Sequence, residues 1–361
     1  SVYRPSCSIM TTSALDASIT DLTEQLRERP DDAAILHDLA VLHGQAGRIT
    51  DAVDFARQSV ALGPTEMEAW LNLGNLESRV QNLDQAVTAL TQATEIAPDD
   101  SRGWFSLGNV LALNRQRRES IVALETARDI APNSVDVLAS LALAYRKQAR
   151  LDDAIKTYQA AFDLNPSNAR LHSNLLVVSQ YQPNTTPQSL FDNHQQWSAR
   201  HGTTTVPLTV ANDHDAPLRV GYVSGDFRAH PIGCFLTGVL SNHDRRAFTA
   251  TCFSDTRTID ATTESLRKKS DTWLDTRGMS DDAFCELVRR EEIDILIDLS
   301  GHFSHSRLTA FARKPAPVQA SWAGYVGTTG LAAMDWLIAD QHHTPDGYET
   351  YASELIVRLP H

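Results

Sequence analysis

WLNLGNLESRVQNLDQAVTALTQATEIAP at residues 70–98 and WFSLGNVLALNRQRRESIVALETARDIAP at residues 104–132 are equal in length and align without a gap. Each opens on Trp, places Gly four residues on and closes on Ala-Pro. Working outward, Pro30, Pro64, Pro98, Pro132 and Pro166 step by 34 residues. Leu36, Trp70, Trp104 and Leu138 keep the same step, as do the small residues Ala40, Gly74, Gly108 and Ala142. Two more small series follow, Ala52, Ala86, Ser120, Ala154 and Ser59, Ala93, Ala127, Ala161. Aligned series at a single spacing describe one supersecondary unit repeated along the chain.

The unit reads as a pair of helices. A large residue on the first helix is expected to fit against small residues on the second, where Gly or Ala lets the backbones approach. The proline breaks the chain before the next pair, and Asp99-Asp100 and Asn133-Ser134 supply caps for the helix that follows. The pattern resembles the tetratricopeptide repeat. Four full units are predicted over about residues 33–168, with a lone helix at 14–29 ahead and a partial unit from 169. This defines an all-α superhelical domain at 14–180. Such arrays present a concave face to extended peptides, which makes protein or peptide acceptors the expected partners. Asn72, Asn75, Asn109 and Asn174 are candidate peptide-backbone contacts; the plainer reading makes them solvated helix positions.

The 361 residues suffice for about two domains. Hydrophobic residues make up 42% and charged residues 21%, an ordinary globular balance that argues against disorder. The net charge of -13 argues against nucleic acid and anionic membrane as partners, and no apolar run is long enough to span a bilayer. Cys7, Cys234, Cys252 and Cys285 show no metal or disulfide spacing, and read as reduced thiols of a cytoplasmic protein. The opening SVYRPSCSIM lacks an apolar signal core and reads as a processed or added end.

After the array comes a helical connector, then a linker rich in Thr, Asp, Asn and Pro, together 181–217. From Leu218 the pattern changes. Short apolar runs (LRVGYVS, FTATCFS, DTWLD, IDILIDLS, VQASWAGY, DWLIAD, ELIVRL) alternate with amphipathic segments (GCFLTGVLSN, TESLRKKS, DDAFCELVRREE, SRLTAFARK). This alternation predicts an α/β domain with a parallel sheet at 218–361. Ligands in such sheets bind at the carboxyl ends of the strands. Three loops are thereby singled out: SGDFRAHPIG at Ser224–Gly233, LSGHFSHSR after the fourth strand and SWAGYVGTTG after the fifth. No GxGxxG, phosphate-binding loop or GxSxG is present. His302/His305 and His342/His343 lack partners for a metal site, and neither a metal nor a cofactor is expected.

RVGYVSGDFRAHPIGCFL, LIDLSGHFSHSRLTAFARKPAPVQASWAGYVGTTG and MDWLIADQHHTP resemble the catalytic region of the O-linked N-acetylglucosamine transferases. That family also carries an amino-terminal tetratricopeptide array. The resemblance implies a Rossmann-like first half of a GT-B fold. It implies inverting, metal-independent transfer of N-acetylglucosamine from UDP-GlcNAc to Ser or Thr hydroxyls of proteins. It further implies a second Rossmann-like half, on the order of 200 residues, which holds most of the nucleotide. With that half on another chain or missing, the present stretch alone is expected to be inactive. Two alternatives stay open: a tetratricopeptide interaction scaffold without catalysis, and a protein O-fucosyltransferase using GDP-fucose.

The attacking hydroxyl must lose a proton. His230 is the candidate base because an imidazole titrates near neutral pH and DFRAHP matches the family's catalytic-histidine loop. Asp226 matches the carboxylate of that loop, placed to orient the ring or relay a proton. The resemblance implies that Pro231 and Ile232 face the donor sugar or phosphate. It implies that the Gly324 and Tyr325 backbone approaches the sugar, and that His302 borders the acceptor or sugar pocket. Arg307 and Lys314 read either as phosphate contacts or as ordinary salt-bridge partners.

Overall fold

The structure, a computed structural model, describes residues 12–63, 66–202 and 216–360. Cys7, Pro64 and most of the Thr-rich linker lie outside the described residues. The described chain divides between Leu164 and Asn165 into two compact units.

The first unit is the helical array. α1 (Thr12–Glu28) precedes four pairs: α2 (Ala33–Gln45) with α3 (Ile49–Ala61), α4 (Met67–Arg79) with α5 (Leu83–Ile96), α6 (Ser101–Leu113) with α7 (Arg117–Ile130), and α8 (Val135–Lys147) with α9 (Leu151–Leu164). Helix starts follow the repeat, because Asp32, Asp100 and Ser134 each accept backbone N–H bonds from the first turn they precede. The turns inside the pairs follow it too. Gly47, Gln81, Arg115 and Ala149, again 34 apart, all adopt left-handed backbone with φ of 77, 65, 63 and 57°. The next residue's N–H then reaches five residues back, as in Asn82 to the Glu77 carbonyl at 2.9 Å and Gln116 to Leu111 at 2.9 Å. These are glycine-type helix endings, built with glycine in the first pair alone.

The tightest packing runs opposite to the expected sense. The glycines sit on the first helix and the large residues on the second: a Cβ on Gly74 would overlap Leu90, and one on Gly108 would overlap Leu124. Trp70 and Trp104 are only half-buried, against clusters that include Ala52, Ala89 and Ala123. A branched leucine side chain needs the missing Cβ more than a flat indole does.

The second unit opens with α10 (Ala169–Ser179) and α11 (Pro187–His201). It continues through β1 (Leu218–Ser224), α12 (Pro231–Asn242), β2 (Phe248–Ser254), α13 (Ala261–Lys269), β3 (Thr272–Asp275), α14 (Asp281–Arg290), β4 (Ile295–Asp298), α15 (Leu308–Phe311), β5 (Val318–Trp322), β6 (Trp336–Ala339) and β7 (Leu355–Arg358). All pairings are parallel, in the order β3-β2-β1-β4-β5-β6-β7. Alternate strand residues feed two cores. Val220, Tyr222 and Cys252 meet Leu236 and Leu240 of α12, while Val223, Phe253 and Leu296 meet Phe284 and Val288 of α14.

α10, expected to be a partial repeat of a domain ending at 180, groups with the sheet. Leu176 and Trp197 are buried in the same cluster as Phe253 and Phe311, and the Trp197 indole N–H donates to the Ala169 carbonyl at 3.0 Å. Four histidines complete this packing. His194 donates from Nδ1 to the Leu190 carbonyl (2.6 Å), leaving Nε2 to accept the Tyr325 hydroxyl (2.8 Å). His302 donates from Nε2 to the Thr329 carbonyl (2.8 Å), so its Nδ1 accepts from the Ser173 hydroxyl (3.0 Å). His172 and His201 pair nitrogen to nitrogen at 3.1 Å. Burial lowers His194 from 6.5 to about 4, and burial with the neighbouring His201 does the same to His172. Burial, with His194 beside it, likewise holds His302 well below the ordinary imidazole range.

Two expectations follow. Gly108→Val drives a branched side chain into Leu124 and should destabilise the array by about 1–3 kcal/mol; Gln81→Gly relieves a left-handed residue and should stabilise it by about 1 kcal/mol. Chemical denaturation of each variant checks both signs. A further expectation concerns pH. The unfolded chain protonates its histidines near 6.5 and the folded unit holds His172 and His194 neutral until about 4, so their contribution is lost as pH falls across that window. Buried Asp298, raised to about 6, acts in the opposite sense. Thermal melts should show a lower Tm at about pH 4.5 than at about pH 7.5, and His194→Gln should flatten the difference; an unchanged slope in that variant contradicts the assignment.

Candidate active site

Strand order reverses between β1 and β4, since the chain leaves β1 toward β2 on one side and later returns to β4 on the other. In a parallel sheet the loops at such a reversal diverge and leave a crevice at their carboxyl ends. The loop after β1 forms one wall. Its backbone is fixed from below: Phe227 N–H donates to Thr256 Oγ1 (2.9 Å) and Ala229 N–H to Asp260 Oδ2 (2.7 Å), while the Phe227 ring is fully buried against Trp273.

That loop delivers His230 as the N-cap of α12, half-buried, with Nδ1 accepting the Ile232 N–H at 3.3 Å. An N–H can only donate, so the neutral ring carries its proton on Nε2. As placed, the acceptor nitrogen of His230 is occupied, and accepting a proton there requires giving up the long Ile232 bond. Asp226 does not orient this imidazole: its Oδ1 accepts from Arg228 Nη2 at 2.8 Å. Pro231 is exposed at the start of α12, whereas the Ile232 side chain packs inward with Leu236 and Leu240. Ile232 therefore offers a ligand its backbone rather than its side chain, because the first turn of α12 points that residue at the sheet.

The loop after β4 forms the other wall. Asp298 ends the strand fully buried, accepting from Ser300 N–H (3.2 Å) and Gly301 N–H (2.7 Å). Burial raises its carboxyl to about 6 against the pull of those two donors. The third loop lies against the second. A Cβ on Gly324 would overlap the Leu299 carbonyl, so glycine is demanded there by contact between loops. His302 and Tyr325 are 1% and 2% exposed, with their polar atoms bonded to Ser173, Thr329 and His194. Their side chains hold α10 and α11 to the loops, which sequence spacing gave no means to foresee.

Arg307 and Lys314 take the salt-bridge role. Arg307 grips Asp255 with Nε at 2.7 Å and Nη2 at 2.8 Å, and Lys314 bonds Asp335 and the Ala333 carbonyl. In the array, Asn75 is exposed, Asn109 is half-buried, and Asn72 Nδ2 is buried without a partner among the described residues. Asn174 lies on α10 of the second unit. Sequence reasoning missed one group at the crevice, Asp298, whose signal was its place at the end of a strand before a glycine loop; His305, read there only as half of a rejected metal pair, borders a neighbouring cleft. His305 is exposed, left-handed at φ 67°, and packed where a Cβ on Gly225 would fall.

Comparison with known proteins places these features. The glycosyl transferase family 41 model matches residues 203–361, and tetratricopeptide models match 68–100 and 142–175. A mutant of the Thermobaculum terrenum O-GlcNAc transferase superposes with a TM-score of 0.75 at 35% identity, over 81% of this chain and 57% of that one. The Arabidopsis thaliana protein named probable UDP-N-acetylglucosamine–peptide N-acetylglucosaminyltransferase SPINDLY is 32% identical over 203 residues, 54% of this chain and 22% of its own length. The same plant's SEC, named for the same activity, is 34% identical over 145 residues, 40% of this chain and 15% of its own. The chain thus spans less than a quarter of the length of these curated relatives. Among the described residues, no helix is long and apolar enough to cross a membrane. A family 41 glycosyltransferase region preceded by tetratricopeptide repeats makes this chain a homologue of the protein O-GlcNAc transferases.

Proposed function

We propose that this chain forms the wall of a transferase site that moves N-acetylglucosamine from UDP-GlcNAc to Ser or Thr hydroxyls of proteins, with inversion and without a metal. The observation that carries the reading is the β1 loop. It sets His230 at the head of α12, at the edge of the crevice where the strand order reverses. The named activities of SPINDLY and SEC and of the Thermobaculum enzyme support the donor and the protein acceptor. The reading assigns uracil, ribose and most diphosphate contacts to a second Rossmann-like half.

In this mechanism the acceptor hydroxyl enters the crevice and displaces the Ile232 N–H from His230 Nδ1, which then takes the hydroxyl proton as the oxygen attacks the anomeric carbon. The freed Ile232 N–H and the first turn of α12 face developing negative charge on the departing phosphate. Pro231 shapes the mouth of the crevice and the 324–325 backbone lines the sugar side. Asp226 acts through Arg228, holding the guanidinium beside the loop. Asn72, Asn75, Asn109 and Asn174 are proposed to hydrogen-bond the backbone of acceptor segments.

Two substitutions at one position separate chemistry from architecture. Asn is a strong N-cap and cannot serve as a base, so His230→Asn in the natural full-length protein should keep its melting temperature while turnover falls about 10²–10⁴-fold. His230→Ala should lose the same turnover and in addition about 0.5–2 kcal/mol of stability with the cap. Radiolabelled sugar transfer alongside thermal melts reads both. Full turnover in His230→Asn removes the base role, and transfer from GDP-fucose in place of UDP-GlcNAc overturns the donor.

A further inference from the structure

A second cleft lies at the carboxyl ends of β2, β3 and β4, outside the crevice used above. It encloses about 260 Å³ and is lined by Asp255, Arg257, Arg277, Met279, Asp281 and His305, with Arg307 at its floor. Its charges differ in how far they are already engaged. Arg307 is fully occupied: Nε and Nη2 hold Asp255, Nη2 also reaches the Thr276 carbonyl, and Nη1 reaches the Met279 carbonyl at 2.8 Å. Asp255 is correspondingly neutralised by that fork and by the Thr276 hydroxyl at 3.0 Å. Asp281, in the first turn of α14, stands 3.7 Å from the same guanidinium.

The remaining donors are less fully engaged. Arg277 engages Asp275 through Nε and Nη2, leaving Nη1 uncommitted among the described residues. Arg257 is exposed and has no hydrogen-bond or ion-pair partner among the described residues. His305 is exposed likewise, and its backbone occupies the left-handed region at φ 67°. That conformation is costly for a residue with a Cβ, and a glycine would take it freely. An imidazole held there at the expense of the backbone, beside two guanidinium groups with spare N–H donors, is an arrangement for receiving an oxyanion.

We propose that Arg257, Arg277 and His305 form an oxyanion-binding subsite, for a phosphate or carboxylate group of a substrate, adjoining the β1–β4 crevice through the Gly225–His305 contact. The inference stands on this geometry and does not depend on which sugar is transferred. Phosphate-bearing small molecules and acidic polypeptide segments share the chemistry. Two probes separate them: inorganic pyrophosphate and a hexaglutamate peptide, titrated calorimetrically into the full chain at low salt.

At least one probe is expected to bind with a dissociation constant in the millimolar range or tighter, and the tighter one identifies the source. Arg257→Gln combined with Arg277→Gln should weaken that binding about tenfold or more, while Lys156→Gln, an exposed cation of the array, leaves it unchanged. His305→Gly should raise the melting temperature and weaken the same binding, a pairing of gains and losses that a structural histidine would not show. Absence of binding by both probes, or equal affinity in the double-arginine variant, overturns the proposal. Neither result touches the transferase reading, which is read by sugar transfer.

Discussion

Parallel strands cannot be joined by tight turns, and each must be reached by a crossover that returns the chain to the same end of the sheet. In this protein that constraint produces the order β3-β2-β1-β4-β5-β6-β7, whose reversal at β1 and β4 parts two loops at the carboxyl edge. The other features of the site depend on that parting. His230 is where it is because β1 ends at Ser224 and α12 must start within a few residues. Asp298 is buried because β4 ends beneath the loop it then pins through Ser300 and Gly301. Gly324 is held against Leu299 because β5 lies beside β4.

The array depends on a simpler rule repeated. Each helix pair needs a left-handed residue to turn, a cap to restart and a position without bulk where the helices touch. The 34-residue spacing exposes the last two in the sequence, as prolines followed by Asp or Ser and as Gly74 and Gly108. It hides the first, because Gln81, Arg115 and Ala149 fill a position where glycine would have announced the turn.

Much of the fold was legible for these reasons. All seven apolar runs became strands: the inner ones carry the contiguous apolar signature of a strand buried on both faces of a parallel sheet, and the edge strands β3 and β7 keep short apolar runs although they are more exposed. The site was legible in its loops but less so in its side chains. DFRAHP identified the loop holding His230, yet one residue's register decides whether Ile232 faces a ligand or the core. His302 and Tyr325 carry polar groups at the right edge of the sheet, and nothing local reveals that α10 and α11 cover them. That information is long-range: Ser173 meets His302 and His194 meets Tyr325 across more than a hundred residues of chain. The division of the chain after Leu164 escaped the repeat pattern for the same reason, since α10 keeps the array's periodicity while its buried side chains serve the sheet.

The central claim is that protein acceptors meet this chain at the carboxyl edge of its parallel sheet, beside His230. Photo-crosslinking tests it most directly, using a Ser-containing acceptor peptide with a photoreactive residue next to the serine, followed by mass-spectrometric mapping on the natural full-length protein. The account predicts crosslinks within the loop after β1, at residues 225–232, and within the loops after β4 and β5. Crosslinks confined to the helical array, or to the opposite edge of the sheet around the amino ends of β1 and β4, would contradict it.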